Sequence, residues 1–152
     1  MRDLAKKRGV TFLELIEISK TDETVDRQLD GYQIRLGKEE NNFVIDSRIG
    51  FFFIPQSYKV FLHVDDAVAA QRIMQSQRES EPFKSIKDAL ASIKTRKHSE
   101  KLRYKKYYNL DFPRDSYFDL VIDTSRIPTE KIAEQIIQKV RKAKVKVVKE
   151  HV

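Results

Sequence analysis

The chain has 152 residues, enough for one domain with a modest core, and its 40% hydrophobic and 35% charged content is that of a soluble globular protein rather than a disordered one. It contains no Cys, which excludes disulfides and thiolate metal sites and suits a reducing, cytoplasmic setting; "MRDLAKKRG" lacks the apolar stretch of a signal peptide, and no apolar run reaches the roughly 20 residues of a membrane span. The net charge of +7 is concentrated, with Lys and Arg outnumbering Asp and Glu by 11 to 4 in residues 72–106 and by 6 to 1 in residues 139–152.

Thr11 and Glu14 form a T-x-x-E capping box at the head of "TFLELIEISK", which predicts a helix there. A second helix is predicted from about Asp22 to Lys38, with Val25, Leu29, Tyr32 and Leu36 as its inward stripe at i, i+4, i+7 and i+11. Asp22, Asp26 and Asp30 line one face of that helix and read as a solvent face or as partners for arginines rather than as a metal cage. After "KEENN" a short strand is expected over 43–46, its tip carrying Asp46, Ser47 and Arg48. The run Phe51–Phe53 is expected in the core or in an interface.

"KVFLHV" (59–64) is the second strand, and His63 inside it reads as a core histidine. Asp65 or Asp66 is expected to cap the helix "AVAAQRIMQSQRE", which the Pro-containing "ESEPFK" interrupts. Ser85 and Asp88 start a long helix predicted to reach Tyr108. "FDLVIDTS" (118–125) is the third strand, and Pro128 and Thr129 open a last helix with Ile132, Ile136 and Val140 facing inward. The basic end of that helix, "KVRKAKVKVVKEHV", reads as a solvated helix end; without interleaved aromatics it makes a poor nucleic-acid or membrane surface.

Short apolar strands alternating with longer helices predict an α/β fold, a three-layer parallel sheet with helices on both faces. Ligands of such sheets sit at the carboxyl ends of the strands, where Asp46–Arg48 and Asp123–Ser125 are expected. On the long helix Arg96, Glu100 and Arg103 stand at i, i+4 and i+7 and share one face. Two guanidinium groups with a carboxylate between them can grip a phosphate bidentately, and Arg72 and Arg78 precede them on the shorter helix. A solvated basic helix laced with ion pairs would show the same spacing. Arg48 at a strand end weighs toward the phosphate reading. No His, Cys or carboxylate spacing points to a metal site, so none is predicted.

The segments "RDLAKKRGVTFLEL", "DRQLDGYQ", "NNFVIDSRIGFF", "KVFLHV", "SEKLRYKKYYNLD" and "DLVIDTS" occur in an order that resembles the cytidylate kinase-like family, above all its short archaeal type. The resemblance implies a P-loop nucleoside-monophosphate kinase that moves a phosphoryl group from ATP to CMP or dCMP with Mg²⁺. It implies one domain over 1–152, N-terminally incomplete, with nucleotide-binding helices in 1–42 and an arginine-rich lid in 72–108. Arg2, Arg48, Arg96, Glu100 and Arg103 match the acceptor-nucleotide positions. Arg72, Arg78, Arg96 and Arg103 match those that act on the transferring phosphates. Ile49 stands where bacterial members carry an Asp that reads cytosine. No G-x-x-x-x-G-K-[ST] loop occurs, and of the four glycines none precedes a Lys-Ser/Thr pair.

In the family, a strand–loop–helix unit precedes the position of Met1, and its strand lies centrally between those matching 43–46 and 59–64. Three outcomes follow: the two strands pair directly, self-association or a partner chain fills the slot, or the chain belongs to a longer protein. The expected function is therefore that of an incomplete cytidylate kinase, with low activity as it stands. The alternative is an inactive relative that binds nucleotide or RNA.

Overall fold

The computed structural model describes residues 2–76 and 83–149, with side chains described over 4–76 and 83–143. Three short helices come first. α1 (Arg2–Arg8) stops at Gly9, whose φ of 66° takes the left-handed turn that closes the helix, its N–H bonding to the Lys6 carbonyl at 3.2 Å. α2 (Phe12–Ile18) starts from the expected capping box: the Glu14 N–H donates to Thr11 Oγ1 at 3.2 Å and the Thr11 N–H to Glu14 Oε2 at 2.7 Å. α3 (Thr24–Glu39) completes the group. Ala5, Leu15 and Val25, one from each helix, form a closed apolar cluster ringed by Leu4, Val10 and Ile18.

The inward face of α3 follows the predicted stripe only in part, with Val25 buried and Leu29 and Leu36 half-buried. Tyr32 is exposed, and Asp26, Asp30 and Gln33 are buried beside Val25. Asp26 and Asp30 are thus not a solvent face. They point inward because Arg103 and Tyr108 on a later helix offer them an opposite charge and a donor. Asp22 remains partly exposed near Arg8, at 3.5 Å.

Residues 43–46 do not form the expected strand. Phe43 and Ile45 are half-buried while Val44 and Asp46 are exposed, Val44 fully so at 101%. The segment alternates as a strand would, yet it has no ladder partner among the described residues, and a strand exists only through bonds to a neighbour. The expected three-layer sheet is likewise reduced. The sheet of the described residues has two parallel strands, β1 (Val60–His63) and β2 (Leu120–Asp123), in register Val60↔Leu120 through His63↔Asp123. What holds of the prediction is an α/β arrangement of parallel strands joined through helices.

Before β1, α4 (Gly50–Phe53) is a single turn that carries the Phe run. Phe51 and Phe53 pack with Phe61, Phe118 and Tyr108 around buried Ile49, Tyr104, Leu110 and Phe112, while Phe52 is more exposed. α5 (Asp66–Gln75) begins after Asp65, which occupies the cap position without a side-chain capping bond; Asp66 sits in the first turn. α6 (Ile86–Tyr108) starts at Ser85, whose Oγ accepts from the Asp88 N–H at 3.1 Å, and ends at left-handed Asn109. Ala70 of α5 meets Ala89 and Ile93 of α6 in a third cluster.

α7 (Thr129–Lys149) lies against β2, with Ile132 buried and Ile136 and Val140 half-buried as expected. His63 is not a core residue. At the last position of β1 it is half-exposed, with Nε2 4.0 Å from Asp65 Oδ1. Among the described residues no helix is long and apolar enough to cross a membrane.

Leu15 is fully buried where the first three helices meet. Leu15→Ala is expected to cost about 2–5 kcal/mol in urea denaturation. A loss below about 1 kcal/mol would mean that α1, α2 and α3 do not share one core.

Candidate functional site

The helical period of α6 sets Arg96, Glu100 and Arg103 on one side, as read from their spacing. Glu100 is 9% exposed, and its Oε1 lies 3.5 Å from Arg48 Nε and 3.9 Å from Arg96 Nε. Arg48 arrives from the turn before α4. That turn runs tightly against α3: a Cβ at Gly50 would lie 3.0 Å from Ser47 Cβ and 3.4 Å from Gln33 Oε1, and Ser47 Oγ donates to Gln33 Oε1. One carboxylate thus stands between two guanidiniums from separate elements. The Arg48 side chain, 48% exposed, reaches solvent. Such a corner can receive a phosphate, whose oxygens match guanidinium donors in pairs.

Arg103, one turn further along, bonds to a different body. Its Nη1 donates to Ser19 Oγ and, at 3.2 Å, to the Ser19 carbonyl, and its Nε faces Asp26 Oδ2 at 3.6 Å. Burial pushes the Asp26 carboxyl above its ordinary value; Arg103 opposes that rise and Glu100 adds to it. Next on α3, Asp30 accepts from the Tyr108 hydroxyl, and burial drives its carboxyl up to about 6 against that bond, with the Asp26 charge adding. Burial also raises the Tyr104 and Tyr108 phenols. Tyr104 lies beside the arginines, its ring 6.0 Å from Arg103 Cζ. Ile49 is buried against Tyr104, Leu110 and Phe112, so this position contributes no polar group to a base.

A groove of about 660 Å³ separates α2 from α6, with Leu13, Ile16 and Glu17 on one wall and Thr95, Arg96 and Ser99 on the other. It continues into a hollow of about 340 Å³ lined by Lys20, His98, Arg103 and Lys106. Arg96 and Arg103 therefore stand on the rim of an open cleft between the first helices and α6.

The structure does not bring the remaining candidates to this corner. Arg72 donates from Nη2 to the Thr124 carbonyl at 2.6 Å and from Nη1 to Thr124 Oγ1 at 3.4 Å, tying α5 to the end of β2. Around that end Thr124 Oγ1 donates to the His63 carbonyl, the Asp65 N–H donates to Ser125 Oγ, and hydrogen bonds from Ser125 hold the Asp123 carboxyl below its ordinary value. Arg2 opens α1, but its side chain lies outside the described ones, and Arg78 lies outside the described residues altogether. Sequence reasoning missed Ser19, Tyr108 and Thr124, which carry no motif. Asp26 was in view only as one of three carboxylates awaiting an arginine. Among the described residues no three metal-ligating side chains gather.

Residues 2–126 match the cytidylate kinase-like family. The chain is 34% identical to a cytidylate kinase of Methanobrevibacter smithii, over 90% of its own length and 76% of that relative's. It is 35% identical to a cytidylate kinase of Natronomonas pharaonis over 83% of its own length and 64% of the relative's. It is also 32% identical to an S-adenosylmethionine-dependent nucleotide dehydratase of Lacinutrix mariniflava, matching 28% of that protein with 91% of itself. No solved structure matches.

The Asp30 carboxyl holds its proton in the folded chain up to about pH 6, against an ordinary value of 3.8. Its contribution to stability is therefore complete below about pH 4 and is lost as pH rises through about 6. Asp30→Asn removes that loss. In thermal melts the Tm of the variant relative to wild type is expected to climb between about pH 4 and pH 7 and then level off. A difference that is flat across this span would place Asp30 in solvent.

Proposed function

The chain belongs to the cytidylate kinase-like family, and on that footing we propose that it forms the acceptor side of a nucleoside-monophosphate kinase, which phosphorylates CMP or dCMP at the expense of ATP in the cytoplasm. The observation that carries this reading is Glu100 held between Arg48 and Arg96, with Arg103 one turn away and a cleft alongside. Phosphoryl transfer asks a protein for positioning and charge neutralisation rather than for a proton-transfer group. Arginines from separate elements around one carboxylate suit that demand. Arg48 and Arg96 would meet the acceptor phosphate directly, Glu100 would hold their forks in place and accept from a ribose hydroxyl, and Arg103 would add a third guanidinium. The family likeness gives Arg2 a place at the same phosphate. It gives Arg72 and Arg78 places at the ATP phosphates, although Arg72 would first have to leave the Thr124 carbonyl.

The residues present do not fit ATP and Mg²⁺. The sequence holds no glycine-rich phosphate loop, and the described residues hold no metal-ligating cluster. In this reading a strand–loop–helix unit other than these 152 residues holds both, and it adds its strand to the edge of β1 not bonded to β2, beside exposed Val44 and half-exposed Leu62. With Ile49 buried, any preference for cytosine comes from other groups.

The missing loop favours a second reading, a relative that binds nucleotide or RNA without transferring phosphate. Titration calorimetry with CMP, dCMP, UMP and a short RNA separates the two. CMP is expected to bind, and Arg48→Ala and Arg96→Ala are each expected to weaken it by about 1.5–3 kcal/mol. Unchanged affinity in both variants would remove the acceptor site from α6. RNA binding that falls steeply with salt, without mononucleotide binding, would favour the second reading. A coupled ADP-release assay on the chain joined to a phosphate-loop segment tests transfer itself.

A further inference from the structure

Arg103 differs from the other arginines of the cleft in how it is held. Its anchors, Ser19 and Asp26, sit at the C-cap of α2 and in the first turn of α3, and both are buried, at 0% and 7% exposure. Ser19 takes Nη1 and Asp26 faces Nε, so the guanidinium is held at two of its three nitrogens. Nη2 makes no hydrogen bond to the described residues, and Arg103 lines the hollow that continues the cleft.

The contact with Asp26 is also not a closed bond. Arg103 Nε and Asp26 Oδ2 are buried 3.6 Å apart, and neither has a hydrogen-bond partner. Burying two charges costs free energy that a contact without a hydrogen bond repays poorly, so as a staple for the fold the pair is inefficient. As a jig it works. The carboxylate fixes the guanidinium by its field, Ser19 fixes one nitrogen by two acceptors, and the long side chain is ordered before any ligand arrives.

We propose that Ser19 and Asp26 are positioning residues for Arg103, holding its remaining nitrogen, Nη2, toward the phosphate of a nucleoside monophosphate in the cleft between α2 and α6. The inference rests on the acceptor-site reading and extends it to two residues that touch no substrate. It also gives the first three helices a part in phosphate recognition, since a shift of α2 or α3 moves the jig.

NMR titrations of wild type, Asp26→Asn and Ser19→Ala with CMP and with cytidine test it, with circular-dichroism melts to establish folding. A folded variant that has lost the jig is expected to bind CMP about tenfold more weakly while binding cytidine as wild type does, because a displaced guanidinium costs only the charged contact. Equal losses for CMP and cytidine would make the pair purely structural and overturn the proposal, as would no loss for either. Wild type that binds CMP no better than cytidine would instead overturn the acceptor-site reading, and the proposal with it. If Asp26→Asn does not fold, Ser19→Ala decides alone, since it keeps both charges and removes one acceptor.

Discussion

The Glu100 carboxylate, nine-tenths buried and flanked by Arg48 and Arg96, is the constraint on which the rest of the site depends. An ionised carboxylate in that position has lost most of its water and needs cations to replace it. α6 supplies one of them, Arg96, from its preceding turn, and the other must come from the turn before α4. That requirement fixes where α4 begins, how closely Ser47 passes Gln33, and why Gly50 carries no side chain.

α6 connects this corner to everything else. Ala89 and Ile93 near its start pack on α5, Tyr104 near its end enters the aromatic cluster below the sheet, and the face between them is polar and buried. That face and the end of α6 meet buried carboxylates of α3, Asp26 facing Arg103 and Asp30 bonded to Tyr108, where an ordinary helix pair would meet through aliphatic side chains. Two helices joined through charges and hydroxyls are held in register by specific partners, and such a seam opens to water more readily than an apolar one.

What could be read from the sequence was whatever is local. The caps at Thr11 and Ser85 bond within four residues, and both helices start where expected. Arg96 and Glu100 share a helix face by arithmetic alone. What escaped was whatever depends on a partner far along the chain. Arg103 finds Ser19 across 84 positions and Tyr108 finds Asp30 across 78, with no spacing rule to link them. Residues 43–46 show why apolar alternation falls short: it states which side of a segment is buried and leaves open whether a neighbour exists to complete the ladder. Arg72 carries a related lesson. A guanidinium is visible in a sequence but the carbonyl it binds is not, since every residue has one.

The charges on α6 also bear on why this chain can be read as half of a reaction centre. Transfer between two phosphates needs a cradle of backbone N–H groups on one side and movable cationic side chains on the other. A backbone cradle cannot be scattered over a fold, because consecutive amides must turn toward one point, which takes glycines in sequence. Guanidiniums on long side chains can be gathered from separate elements, as Arg48 and Arg96 are at Glu100. The sequence holds no glycine-rich cradle, and nothing in the geometry of the arginine corner requires one for the corner to form. The corner is held by Glu100, and Arg103 beside it by Ser19 and Asp26. The arginine corner therefore forms from this chain's own residues, so the proposed acceptor binding can be tested apart from phosphoryl transfer.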